Sequence, residues 1–213
     1  MMKKLLFFGL MWAILAVAPL TSLAASYPVG DGVKLFLEEP SSPWKVSPRP
    51  PAFLVRERAE HLHPPQLEAA RKAGINDPED VARKLLSINE LFAFNAETGS
   101  HIEIDFSALK DGEDPPTEKV VKTSASYAGE GLSSEDGITG AQTEVRRFPI
   151  AGAEISYRLD AEYKLHGKPV RFIGVIGFAA RHWFFIYYTG PGNIAGDVAV
   201  VEKLLASCRI EAP

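Results

Sequence analysis

Cysteine is nearly absent: Cys208 is the only one in 213 residues. One thiol cannot form an internal disulfide, so the fold must be held by its hydrophobic core. Cys208 falls on the apolar stripe of a C-terminal helical pattern, which predicts a buried, inert thiol. Paired cysteines at zinc spacing, an H-E-x-x-H, an EF-hand loop and a G-x-S-x-G are also missing, as are internal repeats and low-complexity tracts. Cations are outnumbered, with 23 Lys and Arg against 27 Asp and Glu. Affinity for a nucleic-acid backbone comes from clustered cations, so this balance disfavours nucleic acid as a partner.

One long apolar run is present, at the N-terminus. Lys3 and Lys4 precede residues 5–18, followed by Pro19 and the small-residue exit TSLAAS. This is the layout of a secretory signal peptide, residues 1–24, with cleavage after Ala24. A retained anchor is the alternative, since residues 5–25 could cross a ~30 Å hydrocarbon layer. Pro19 and the small residues favour cleavage, and no cysteine near the exit offers a lipid attachment point. The expected location is therefore periplasmic or secreted, without stable membrane insertion once the leader is gone. Losing Lys3 and Lys4 with the leader moves the net charge from −4 to −6.

The rest reads as a proline-rich, extended segment over residues 25–64 and an α+β domain over residues 65–213. Residues 33–37, VKLFL, predict a strand; the prolines that follow cannot join a sheet centre, and Trp44 among them is expected to pack onto the domain. PPQLEAARKAG and DPEDVARKLLSI predict helices, the second capped by Asp77, with Val81, Leu85 and Ile88 on one face. ELFAFN and HIEIDFS predict a hairpin. Residues 110–140, rich in Gly, Pro, Ser and acids, predict a long surface loop with at most a short helix near TEKVVKTSA.

The C-terminal third carries the clearest pattern. AQTEVRRFPI is a strand candidate. In AEISYRLDAEYKL, apolar residues alternate with Glu154, Ser156, Arg158, Asp160, Glu162 and Lys164, predicting one face on the core and one in water. PVRFIGVIGF and WFFIYYT are apolar at both parities, which predicts central strands covered on both sides. Short turns between these strands require antiparallel pairing. A last helix over residues 194–208 should lie back on the sheet.

GPGNIA, residues 190–195, has the G-x-G-x-x-A spacing of a dinucleotide-binding turn. Such a turn needs a βαβ unit with a second parallel strand. Antiparallel strands and the short remaining chain predict a sharp corner instead, and no cofactor is expected.

Several residues could carry chemistry. His61 and His63 in EHLH would project to one side of an extended segment and could share a metal ion, though no third ligand follows at a known spacing. Asp160 and Glu162, two apart on a strand, could serve acid/base work, but Arg158 and Lys164 flank them as in a salt-bridged surface. Arg181 and His182 at a hairpin end are candidates for catalysis. Trp183 and Tyr187, in a run dense in aromatics, are candidates for ligand binding.

The stretch from GAEISYRLDAEYKLHGKPVRFIGVIGFAARHWFFIYYTGPGNIA to VVEKLLASCRI resembles the ending of PsbP-like proteins, including the DcrB-like exported bacterial members. ELFAFNAETGSHIEIDFS is a looser match. The resemblance implies an α-β-α sandwich around an antiparallel sheet and an accessory or binding role rather than catalysis; it transfers no site residues. Three functions follow as expectations. The first is a non-catalytic binding module of the bacterial cell envelope, with an unknown protein or small ligand and a groove bordered by residues 110–140. The others are a periplasmic or secreted hydrolase whose histidines converge with a carboxylate, and a weak metal-binding protein.

Overall fold

A computed structural model describes residues 24–212. The leader assignment, apart from Ala24, lies outside them. Ten strands and five helices follow in the order β1 (Ala24–Val29), β2 (Val33–Glu38), β3 (Lys45–Ser47), α1 (Ala52–Glu60), α2 (Pro64–Lys72), α3 (Pro78–Leu86), β4 (Leu91–Asn95), β5 (Ser100–Ala108), α4 (Glu118–Leu132), β6 (Ile138–Arg147), β7 (Ile155–Leu165), β8 (Lys168–Ala179), β9 (His182–Pro191), α5 (Ala195–Ser207) and β10 (Arg209–Glu211).

Seven strands form one sheet in the order β3-β4-β5-β9-β8-β7-β6, and β1-β2-β10 form a second. Every strand pairing is antiparallel. β9 is the central strand, in register with β8 through Ile173↔Tyr188 and Phe178↔Trp183. Short β3 and a bulged β6 close the two edges, which blunts them against pairing with other chains.

Period-2 alternation sends each strand's residues to opposite faces. On one face Ile102, Ile104, Ile173, Val175, Phe184 and Ile186 meet the small sheet and Val201, Leu204 and Leu205 of α5 in the main core. Cys208 is buried in this core, and burial pushes its thiol up to about 12. On the opposite face two separate helical layers sit. Leu54 and Val55 of α1 and Ala82 and Leu86 of α3 cover Phe92 at one edge. Val121 and Ala125 of α4 cover Tyr157 and Ile176 at the other. The gap between these layers runs over β5 and β9.

Several local expectations are corrected. Residues 25–64 are not merely extended: they hold three strands and α1. The first proline cluster ends at Pro51, and Ala52–Glu60 contains no proline and is rich in good helix formers, with Leu54 and Val55 facing inward. The stretch 110–140 is not mainly a loop, because α4 spans fifteen residues from a Thr117 cap whose hydroxyl accepts from Val120 N–H. In α3, Val81 is buried but Leu85 is 37% exposed, and Ile88 lies beyond the helix end, 67% exposed. The solvent face of β7 is partly closed, with Ser156 and Arg158 buried.

The GPGNIA corner has no nucleotide geometry. β9 before it and β10 after α5 lie in different sheets, so no βαβ unit encloses it. Gly190 is present for close approach: a Cβ there would run into the Tyr188 and Ser100 hydroxyls. The first turn of α5 carries its own buried carboxylate, Asp197.

Candidate functional site

The gap between the helical layers is a groove made of two adjoining hollows, about 510 Å³ and 330 Å³. Both are floored by the sheet, and both are lined by Arg58, Glu103 and Tyr187. Its floor follows from the parity of β9. Phe184, Ile186 and Tyr188 point into the main core and are buried; Trp183, Phe185, Tyr187 and Thr189 point the other way and are half-buried. This face was expected to be covered. Among the described residues no helix lies over its centre, because α1–α3 and α4 pack towards the sheet edges.

The aromatic side chains form a continuous ladder. Trp183 stacks on Phe185 with centroids 6.3 Å apart and planes 12° apart; Phe185 meets Tyr187 at 6.0 Å, and Tyr187 meets Phe172 of β8 at 5.6 Å. Trp183 packs at one end against the α4 cluster, whereas Tyr187 lines both hollows. Burial, with a smaller contribution from Asp105, pushes the Tyr187 phenol up to about 12, so it stays neutral at physiological pH.

β5 supplies two carboxylates to the same floor. Glu103 sits across from Tyr187 and Asp105 across from Phe185. Glu103 accepts from Asn89 Nδ2 at 2.7 Å and lies 3.7 Å from His101 Nε2. His101 is buried, although it lies on the same strand parity as Glu103 and Asp105. Phe53 of α1 meets it edge-on at 6.1 Å, and its Nδ1 donates to the Gly99 carbonyl at 3.0 Å. Asp105 makes no ion pair among the described residues; burial raises its pKa, and a backbone hydrogen bond at Phe106 partly offsets this.

Four of the five histidines line the larger hollow: His61, His63, His101 and His166, alongside Glu57, Glu103, Glu135 and Asp136. His61 and His63 follow α1 on the exposed rim, where Gln66 Oε1 accepts from His63 N–H at 2.9 Å and anchors the start of α2. The His61 ring stacks against His166 at 6.2 Å. His166 occupies the β7–β8 turn, and its amide donates to the Gly137 carbonyl at 2.8 Å. Gly137 has φ +80, and a Cβ there would strike the His166 imidazole. Among the described residues, no group of three or more His, Cys, Asp or Glu is placed to hold a metal ion.

Arg181 and His182 lie apart from the groove. Arg181 is exposed, and with Ala180 it takes positive φ in the β8–β9 turn. His182 is buried on the core side: its Nδ1 donates to Ala180 O at 2.7 Å, leaving Nε2 to accept from Asp31 N–H at 3.4 Å. It thereby ties the hairpin to the β1–β2 turn, where Gly30 N–H also donates to Glu90 at 2.8 Å. Asp160 and Glu162 are not an open acid/base pair. Arg171 bonds both at 2.7 Å, and Arg158 bonds Asp160 again at 2.7 Å.

The architecture is a PsbP-like sandwich: an antiparallel sheet with helices packed on it and a C-terminal helix contacting β2. Among solved structures the chain is similar to the solution structure of cyanobacterial PsbP (CyanoP) from Synechocystis sp. PCC 6803. The TM-score is 0.51 at 8% identity, over 94% of this chain and 99% of that one. Likeness at that identity is a likeness of fold. No family model and no curated protein matches the chain. Among the described residues, no helix is long and apolar enough to cross a membrane.

Proposed function

We propose that this protein is an exported, non-catalytic binding module of the bacterial cell envelope, and that the groove over β9 holds its ligand. The observation that carries this reading is the half-buried ladder Phe185–Tyr187–Phe172, with Tyr187 and Phe172 lining the open 510 Å³ hollow and Phe185 and Tyr187 the adjoining 330 Å³ one. Aromatic surface left uncovered in the middle of a sheet costs solvation free energy, and pockets of ~300–1,000 Å³ with apolar floors are typical of small-ligand sites. Leu85 and Ile88 extend the apolar surface onto the rim of the smaller hollow, while Glu135, Asp136 and Ile138 border the larger one.

Nile red, a neutral solvent-sensitive dye, tests the groove. It should bind the folded protein with a blue-shifted emission, and Tyr187→Ala should weaken that binding at least fivefold with the unfolding transition still cooperative. Native protein that leaves the dye unshifted would remove the groove from consideration. Export rests on the leader and is checked separately. Mass spectrometry of the periplasmic fraction should find a chain beginning at Ala25, which trims β1 by one residue; recovery of intact Met1 would contradict it.

A hydrolase working from the same groove has one observation in its favour, the convergence of four histidines with carboxylates. That reading requires turnover of an ester or glycoside substrate that His101→Gln abolishes.

A further inference from the structure

Among the described residues, the acids on the groove floor have no Lys or Arg partner. Elsewhere in this protein, carboxylates of comparable burial are matched. Asp160 meets Arg146, Arg158 and Arg171, and Glu38 meets Lys203. Glu103 and Asp105 differ. They lie two apart on the same face of β5, so their carboxylates repel across roughly 6.5–7 Å. Glu103 touches only neutral Asn89 and the His101 ring, and Asp105 has no Lys or Arg within ion-pair reach among the described residues. Across the whole groove the lining acids are Glu57, Glu103, Asp105, Glu135 and Asp136, and Arg58 is the single Arg or Lys.

Each floor acid faces an aromatic ring directly across the strand pair, Glu103 with Tyr187 and Asp105 with Phe185. A carboxylate beside an aromatic face is complementary to a cation with apolar substituents. The ring's quadrupole attracts the charge, the carboxylate balances it, and the ring surface takes the apolar part. A compact hydrated metal ion would gain nothing from the rings, and an anion would be repelled by the acids.

We propose that the groove's ligand is a small organic cation, a protonated amine or quaternary ammonium carried on an apolar body. This rests on the groove being a binding site, and the experiment separates the two statements. Isothermal titration of the purified protein compares three probes of similar size: benzyltrimethylammonium, neutral benzyl alcohol and anionic benzenesulfonate. The cation should bind at least tenfold more tightly than either other probe. The paired substitution Glu103→Gln with Asp105→Asn should weaken the cation tenfold or more and leave benzyl alcohol unchanged. It removes a like-charge repulsion, so the unfolding midpoint should hold or rise. Equal binding of cation and neutral probe, or no effect of the paired substitution, overturns the cation while Nile red binding keeps the groove. Preferred binding of benzenesulfonate overturns it in the same way. If none of the three probes binds but Nile red does, the inference fails alone; if Nile red fails as well, both fall.

Discussion

Asp197→Ala is expected to lower the unfolding free energy by about 3 kcal/mol, several times the effect of an ordinary surface change. The side chain is 5% exposed and gathers three donors from distant parts of the chain. Trp44 Nε1 and Asn95 Nδ2 each reach Oδ1 at 3.1 Å, and Ser100 Oγ reaches Oδ2 at 2.6 Å. One carboxylate thus pins the first turn of α5 to the proline-rich passage before β3 and to both arms of the β4–β5 hairpin. Its position in that turn also suits the positive end of the helix dipole. Alanine leaves three donors unanswered in a site closed to water; asparagine should recover about half the loss, since it keeps one acceptor oxygen. Urea denaturation measures both.

The same residue predicts an acid dependence. Burial alone would raise the Asp197 pKa, but hydrogen bonds from Ser100, Asn95 and Trp44 outweigh it and hold the carboxyl below the usual range. A depressed folded-state pKa contributes stability that is fully present above the unfolded value of about 3.9, and loses it as pH falls through the folded value. The stability gap between wild type and Asp197→Ala should therefore be constant at neutral pH and narrow below about pH 4. A gap that stays the same down to pH 2 would mean that the ionised form is not what the network requires.

The meander from β7 to β9 was legible because its signals are local. Alternation over AEISYRLDAEYKL sets the faces of β7, and short turns force antiparallel neighbours. The small sheet was not legible as a sheet. Its pairing of Leu35 with Ile210 joins residues at opposite ends of the chain, and three-residue β10 has no pattern of its own. α4 was hidden by composition. SASYAGEGL reads as a loop, yet Val121, Ala125 and Gly129 recur every four residues and are buried. Gly129 has no side chain because the Leu159 methyl occupies that space, 2.9 Å from where a Cβ would stand.

The groove was partly legible. Tyr187 and Trp183 were singled out for their aromatic surroundings, and His61 and His63 for their spacing, but nothing local ties them to His101 or His166. The apolar character of β9 at both parities was taken to mean burial on both sides. The groove side carries Trp183, Phe185, Tyr187 and Thr189, and all but Phe185 have a polar atom that suits a partly wet surface, whereas Phe184 and Ile186 on the core side have none. A strand parity of aromatics with polar atoms, running on to Thr189, fits a partly wet floor better than a second core. The fold places its helices to match, one set at each edge of the sheet, so that the half-buried strip lies over the central strand. A site built there is held by the core beneath it rather than by its own loops.

Arg158 should separate charge from packing in the other unusual part of this fold. Its guanidinium is 2% exposed and answers two acids at once. Nε and Nη2 reach Asp160 at 2.8 and 2.7 Å, and Nη1 and Nη2 reach Glu202 of α5 at 2.6 and 2.5 Å. Burial alone would lower its pKa, but the hydrogen bonds it donates to Glu202 and Asp160 more than reverse that, so it stays charged. Arg158→Ala should cost about 3–5 kcal/mol, combining a cavity beneath Phe148 with loss of the bridge from β7 to α5. Arg158→Met should cost about 1 kcal/mol or less. Methionine refills the volume, Asp160 keeps Arg171 at 2.7 Å, and Glu202, whose side chain is 45% exposed, returns to water. Because Glu202 is that exposed, Glu202→Gln should cost well under 1 kcal/mol on its own. Denaturation of the three variants decides the matter. If methionine is as damaging as alanine, the buried charge itself holds α5 in register against the sheet. If methionine is tolerated, the arginine's contribution is mainly its bulk.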